Sequence, residues 1–128
     1  MKRVLGIDYG ERRVGLAIAD EGSTLAVGYG VLENRGVKEL CAEIAKIVVA
    51  EDVSRIVVGM PLTLSGKVGP QAIVVQDFVS ALRERVHTPV DLMDERFTSI
   101  AADKAGAKQK DIGAAVEILA AYMQKRAV

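Results

Sequence analysis

The apolar positions of this chain follow two periods, and the switches between them lay out the elements. Residues 3–8 and 14–20 are short, apolar runs with the composition of strands. Tyr9-Gly10-Glu11-Arg12-Arg13 lies between them. A short glycine-containing link of this kind predicts a hairpin. Glu21-Gly22-Ser23 supplies the next turn, and residues 25–33 predict a third strand. Gly28 and Gly30 fall on one face of that strand, which predicts a bulge or a close neighbour there. Three strands with short links make an antiparallel meander.

The period then changes. After Asn34-Arg35-Gly36, the residues Val37, Leu40, Cys41, Ile44, Ile47 and Val48 recur at i, i+3, i+4 and i+7. That is a helix with one buried stripe. Residues 54–60 are continuously apolar, as suits a strand covered on both faces, and Pro61 ends the run. A loop comes next, with Thr63, Ser65, Lys67 and two glycines. Pro70 opens a second helix, whose stripe is Val75, Phe78, Val79, Leu82 and Val86. Val90-Asp91-Leu92-Met93 is a short strand that runs into Asp94-Glu95-Arg96-Phe97-Thr98-Ser99. Thr98 or Ser99 is placed to cap a helix over 100–106. Residues 107–110 read as a basic link, and the final helix is expected to start at Asp111. Its stripe is Ile112, Ala115, Val116, Leu119, Tyr122 and Met123, with Ala114, Ala115, Ala120 and Ala121 permitting close packing.

The predicted order is βββαβαβ(α)α. Strands four and five each follow a helix, so they join the sheet in parallel through right-handed crossovers. The expected fold is α/β, a mixed five-stranded sheet of a three-strand antiparallel meander plus two parallel strands, flanked by helices. It forms a single domain over residues 1–128.

Composition alters this picture in three places. Half of the residues are hydrophobic but only five are Phe or Tyr and none is Trp, so the core is aliphatic. The 17 basic and 17 acidic residues cancel, so no global field draws the chain onto nucleic acid. Cys41 is the one cysteine. It has no intramolecular disulfide partner and sits in a helix stripe as a small buried hydrophobe. With no signal-peptide pattern and no apolar run approaching about 18 residues, the expected setting is the cytoplasm, away from any membrane. His87 reads as a surface residue at a helix end.

Candidate chemistry begins with Asp8, a carboxylate at the end of an apolar strand. A buried unpaired charge is costly unless it is hydrogen-bonded, paired or bound to a metal. Ligands of sheets of this kind sit outside the carboxyl ends of the parallel strands. Asp8, the loop 61–69 and the triplet Asp94-Glu95-Arg96 all fall there if strands one, four and five are neighbours. Asp111 is within reach if the last helix packs back across the sheet. Carboxylates gathered at one spot repel unless a cation lies between them, and an oxygen-only set suits Mg²⁺ or Mn²⁺. Two such ions about 4 Å apart clamp a phosphodiester. Each residue also has a plainer role. Asp8 is placed to bond the turn at Gly10, Asp111 is an acceptable helix N-cap, and Asp94 and Glu95 point oppositely along a strand, so only one of them faces a shared ligand.

The motifs then resemble a known family. Gly-Ile-Asp-Tyr-Gly-Glu-Arg-Arg-Val-Gly-Leu-Ala-Ile-Ala-Asp at 6–20 is similar to the opening block of the YqgF (RuvX) family, RuvC-like proteins of the RNase H superfamily described as pre-16S rRNA nucleases and Holliday-junction resolvases. Val-Val-Gly-Met-Pro-Leu-Thr-Leu-Ser-Gly-Lys-Val-Gly at 57–69, Asp-Glu-Arg-Phe-Thr-Ser at 94–99 and Asp-Ile-Gly-Ala-Ala-Val-Glu-Ile-Leu-Ala-Ala-Tyr-Met at 111–123 resemble its later blocks, in order. The resemblance implies an RNase H-like fold and divalent-metal hydrolysis of phosphodiesters, leaving a 5′-phosphate and a 3′-hydroxyl. Carried over by position, the catalytic and metal-holding set is Asp8, Glu95 and Asp111, with Mg²⁺ or Mn²⁺. Arg13, Lys67, Arg96 and Thr98 are the expected backbone contacts. The implied substrate is precursor 16S rRNA. The alternatives are a structure-selective nuclease of DNA junctions, for which a homodimer rather than a monomer suits paired cuts, and a non-catalytic RNA-binding module of ribosome assembly. The segment between Glu95 and Asp111 is shorter and less basic than is usual in the family, and Leu-Thr-Leu-Ser at 62–65 replaces a more polar pattern. The Asp-x-Gly hairpin also resembles the phosphate loop of sugar kinases and actin-like ATPases, which need two such lobes where this chain has one.

Overall fold

A computed structural model of the chain describes residues 2–62, 65–94 and 107–127. The elements are β1 (Arg3–Asp8), β2 (Arg13–Asp20), β3 (Val27–Glu33), α1 (Val37–Ala50), β4 (Val53–Met60), α2 (Pro70–Arg85), β5 (Val90–Asp94) and α3 (Ala107–Ala127). One sheet carries all five strands in the order β3-β2-β1-β4-β5. β1 pairs antiparallel with β2, and β2 with β3. β4 is parallel to β1, and β5 is parallel to β4. The meander and the two parallel crossovers therefore stand as the hydrophobic pattern predicts them.

Strand alternation divides the core in two. Leu5, Ile7, Val14, Leu16, Ile56 and Val58 point to one side, where Leu40, Cys41 and Ile44 of α1 and Ala72, Val75, Phe78, Val79 and Leu82 of α2 cover them. Val4, Ala17, Ala19 and Val57 point to the other, beneath Ala115, Ile118, Leu119, Tyr122 and Met123 of α3. Each of the larger side chains contributes about 1.5–3 kcal/mol through its burial. The helix stripes read from periodicity face the core, with Val37, Ile47, Val48, Val86, Ile112 and Val116 half-buried and Ala72, Ala114 and Ile118 added to the buried set. Cys41 is buried, and burial raises its thiol pKa. His87 is exposed beyond the end of α2.

Two element boundaries differ from expectation by more than one residue. The third strand starts at Val27 rather than residue 25. The backbone N–H of Leu25 is taken by the Ser23 hydroxyl at 3.0 Å, so that residue belongs to the turn. The last helix starts at Ala107, not at Asp111. Ala107, Lys108, Gln109 and Lys110 are strong helix formers, and no breaker separates them from Asp111 and Ile112. Residues 107–110 are thus a helical turn rather than a link, and Asp111 is not an N-cap. The helix expected over 100–106 lies outside the described residues.

Glycines set how closely α3 approaches. A Cβ on Gly6 would lie 2.7 Å from Leu119 Cβ, one on Gly28 would lie 2.6 Å from Ile112 Cγ2, and one on Gly15 would lie 2.0 Å from the Asp111 carbonyl oxygen. Three strands therefore give α3 a seat without side chains. The prediction for strand three holds in both forms. Gly28 has its close neighbour, and the register shifts where Leu16 faces Gly30 but Ala17 faces Gly28, leaving Tyr29 as the bulged residue.

Candidate active site

The carboxyl ends of β1, β4 and β5 lie side by side at one edge of the sheet, with Ile7 level with Val58 and Met60 level with Asp94. Asp8 is the last residue of β1. The alternation that sends Ile7 into the α1–α2 core turns Asp8 towards α3. Tyr9 turns back, and its ring packs against Phe78 with centroids 4.6 Å apart. The strand end is therefore anchored on one face and presents a carboxylate on the other.

Asp111 reaches this point because of Gly15. Asp8 and Gly15 are register partners across the hairpin, and the Asp111 backbone lies directly against Gly15. No residue with a side chain at position 15 would leave room for α3 there. Asp111 is consequently a neighbour of Asp8. The Asp8 carboxyl is pushed up to about 6, first by its burial and then by the Asp111 charge. Arg13 opens β2, and its Nε–H donates to Asp111 Oδ2 at 2.7 Å. Among the described residues that ion pair leaves Asp8 as the carboxylate short of a counter-charge.

The hairpin turn is fixed from behind. A Cβ at Gly10 would come 2.2 Å from the Arg13 carbonyl oxygen, so the turn closes only around glycine. Asn34, on the link between β3 and α1, donates Nδ2–H to the Gly10 carbonyl at 2.9 Å and its backbone N–H to the Arg12 carbonyl at 2.9 Å. Its Oδ1 accepts the Gly36 N–H at 3.1 Å. Sequence reading missed this residue. Its signal was an Asn two positions before a glycine, a pattern that bonds local backbone.

The other predicted residues divide between the described edge of the sheet and the segment beyond it. Lys67 is exposed in the loop between β4 and α2, on the same edge of the sheet as Asp8. Asp94 ends β5. Its neighbour Met93 packs on the α3 side, so alternation puts Asp94 on the opposite face from Asp8. Glu95, Arg96 and Thr98 lie outside the described residues. Among the described residues no group of three or more Asp, Glu, His or Cys side chains gathers to hold an ion. The convergence that is described is Asp8 with Asp111. No described helix is long and apolar enough to cross a membrane.

A three-strand meander with two parallel strands, covered by helices on both faces and carrying Asp8 at the end of its central strand, defines an RNase H-like, RuvC-like fold. The fold matches Thermus thermophilus RuvC in complex with Holliday junction substrate, at a TM-score of 0.68 and 16% identity over 98% of this chain and 96% of that one. It also matches the fowlpox virus resolvase in complex with Holliday junction DNA, at a TM-score of 0.60 and 12% identity over 97% and 98% of the two chains. Residues 2–125 match the RuvX family, described as Holliday junction resolvase, and the chain belongs to that family. A relative from Syntrophomonas wolfei is 35% identical over 94% of this chain and 93% of its own length. One from Chloroflexus aggregans is 43% identical over 79% of this chain and 71% of its own length. Both carry the name "Putative pre-16S rRNA nuclease".

Proposed function

We propose that the protein is a divalent-metal-dependent nuclease acting in the 5′-end processing of precursor 16S rRNA. The observation that carries this reading is the meeting of Asp8 and Asp111 over Gly15. Two carboxylates held together with, among the described residues, one arginine bonded to Asp111 form a site that gains from a further cation. Glu95 is the third ligand of the proposal. Asp94 ends β5 on the face opposite Asp8, which leaves Glu95 as the member of the Asp94–Glu95 pair chosen for the proposal. This all-oxygen donor set fits Mg²⁺ or Mn²⁺ and gives no reason for zinc. When bound, such an ion supplies Lewis-acid charge to the phosphate and acidifies a water.

The chain's own groups do the rest. Asp8 and Asp111 present fixed negative charge at the strand edge. Arg13 orients Asp111 from the β2 side through its Nε–H, acting as a positioning residue. Lys67, Arg96 and Thr98 are the proposed backbone contacts around the loop and the third sequence block. The names carried by the relatives favour RNA as substrate. The DNA junction reading rests on the family description and the resolvase folds. The cytoplasm is the proposed setting.

The test is cleavage of labelled precursor 16S rRNA fragments and of a four-way DNA junction, with Mn²⁺ and with EDTA. Cleavage is expected on the RNA, only with metal, and is expected to fall at least about a hundredfold in Asp8→Asn and Asp111→Asn. Cleavage that survives both substitutions overturns the assignment of the site. Metal-dependent cleavage of the junction alone overturns the RNA reading.

A further inference from the structure

Beside the Asp8–Asp111 centre, on the side of β2 and β3, lies a cavity of about 790 Å³. It is larger than the cavity of about 480 Å³ at the opposite end of the sheet. Its lining includes Arg12, Arg13 and Arg35, with Val31 and Ile112 as apolar wall. Arg13 bonds Asp111 and Ile112 is the next residue in sequence, so the groove begins where the carboxylates end. We infer that this groove seats the strand of nucleic acid that leaves the site, with Arg12 and Arg35 as its phosphate contacts. The inference rests on the nuclease reading for what the strand is, and adds the path it takes.

Charge complementarity supports that occupant. Arg12, Arg13 and Arg35 line the groove with Glu11 and Glu33; Arg13 is taken by Asp111, so Arg12 and Arg35 are the guanidiniums left to meet a phosphate. Arg12 is exposed and makes no ion pair among the described residues. Arg35 is paired with Glu33 at 2.9 Å, but the two side chains are 73% and 71% exposed. A pair so solvated is worth little and exchanges readily for a phosphate. Guanidinium is also the group best matched to phosphate oxygens.

Rigidity supports it as well. Arg12 lies on the hairpin turn and Arg35 on the β3–α1 link, and Asn34 ties these two backbones together by two hydrogen bonds. The two cations therefore stand on a common fixed base, one on each side of the Asn34 clamp. Val31 and Ile112 offer sugars and bases an apolar wall in the same groove. A chain with no net charge lacks a global field for nucleic acid, so its grip must come from a local, oriented group of this kind.

The test is fluorescence anisotropy with a short fluorescein-labelled single-stranded RNA, and with DNA of the same sequence, in EDTA. The double variant Arg12→Gln with Arg35→Gln is expected to bind the RNA about tenfold more weakly. The slope of log K against log salt should become shallower by about 1.4, the value for two lost single-strand phosphate contacts. Glu11→Gln is expected to tighten binding about twofold, by removal of a like charge from the wall. The matched loss of two charges elsewhere, Lys46→Gln with Lys125→Gln, is expected to change binding less than about twofold, and circular dichroism confirms the fold of each variant. Equal losses in the two double variants, or no loss in the first, overturn the inference. Because binding is read without metal, the two readings fail separately. Unchanged binding with intact cleavage removes the groove and leaves the nuclease. A specific loss of binding in a protein that never cleaves removes the nuclease and leaves the groove.

Discussion

The two ends of α3 handle a carboxylate of the sheet in opposite ways. Towards its C-terminal end, α3 brings Tyr122 to Asp91 of β5. Asp91 accepts the Tyr122 hydroxyl and the Arg55 Nη1–H, the latter at 2.8 Å. Arg126 donates to the same Tyr122 oxygen at 3.0 Å and lies over its ring. Burial works to raise the Asp91 pKa, but the hydroxyl and the guanidinium outweigh it, and the group sits below its usual value. Towards its N-terminal end, α3 brings a second carboxylate, Asp111, to Asp8, and the Asp8 pKa rises to about 6. The helix, the sheet and the type of residue are the same. What differs is whether the surrounding described residues satisfy the charge or leave it short. The satisfied end is structural, and the unsatisfied end is where a ligand has something to gain.

The most forceful way to break this comparison is at the glycine that creates it. Gly15→Ala sets a Cβ 2.0 Å from a backbone oxygen of α3, a clash no rotamer relieves. A loss of about 3 kcal/mol is expected in chemical denaturation, together with loss of cleavage as Asp111 moves off. Stability within about 0.5 kcal/mol of the parent would show that α3 does not rest on that strand.

Asp8→Asn sharpens the contrast by removing the unsatisfied charge. The folded protein holds the Asp8 proton up to about pH 6, while the unfolded chain releases it near its usual 3.8. The folded state therefore binds more protons between those values. Stability falls as pH rises through that window and stays lowered above it. In EDTA near neutral pH the asparagine variant is expected to be more stable, by up to about 3 kcal/mol, and the gain should vanish below the window. Urea unfolding at two pH values reads this directly, and a variant less stable at neutral pH contradicts it.

Asp91→Asn has the smallest expected effect and the opposite sign. A depressed pKa stabilises the fold at all pH above the unfolded value, and that contribution is lost as pH falls through the folded one. The Arg55–Asp91 side chains are 31% and 39% exposed, so solvent screening limits the loss to under about 1 kcal/mol. The comparison fails if Asp8→Asn and Asp91→Asn move thermal stability the same way at neutral pH.

The period of the apolar residues was enough to read five strands, the meander, both crossovers and the buried stripe of each helix, because burial of one face is what imposes that period. Asp8 was legible for the same reason, as a charge where the pattern calls for an apolar end. Asp111 was legible as a residue but not in its setting. The helix propensity of Ala107, Lys108, Gln109 and Lys110 was there to extend its helix backwards, but no local signal said that its backbone would rest on Gly15. Arg13 was expected at a phosphate, and the structure places its guanidinium on Asp111. Such a pairing across 98 residues depends on how α3 crosses the sheet, which neither propensity nor spacing encodes. Asn34 escaped because its partners belong to another turn, and a polar residue in a link has many possible uses.

The seat of α3 has a consequence for the order of events in folding. The hairpin carrying Asp8 and Arg13 closes among near neighbours in the chain. Asp111 joins it only by closing a far longer loop, the kind of contact that forms late. The pair of carboxylates is thus a product of the finished tertiary structure. A chain whose last residues are not yet synthesised carries the hairpin sequence without Asp111. If the pair is the centre of a nuclease, the chain stays harmless to RNA around it until its last helix has docked.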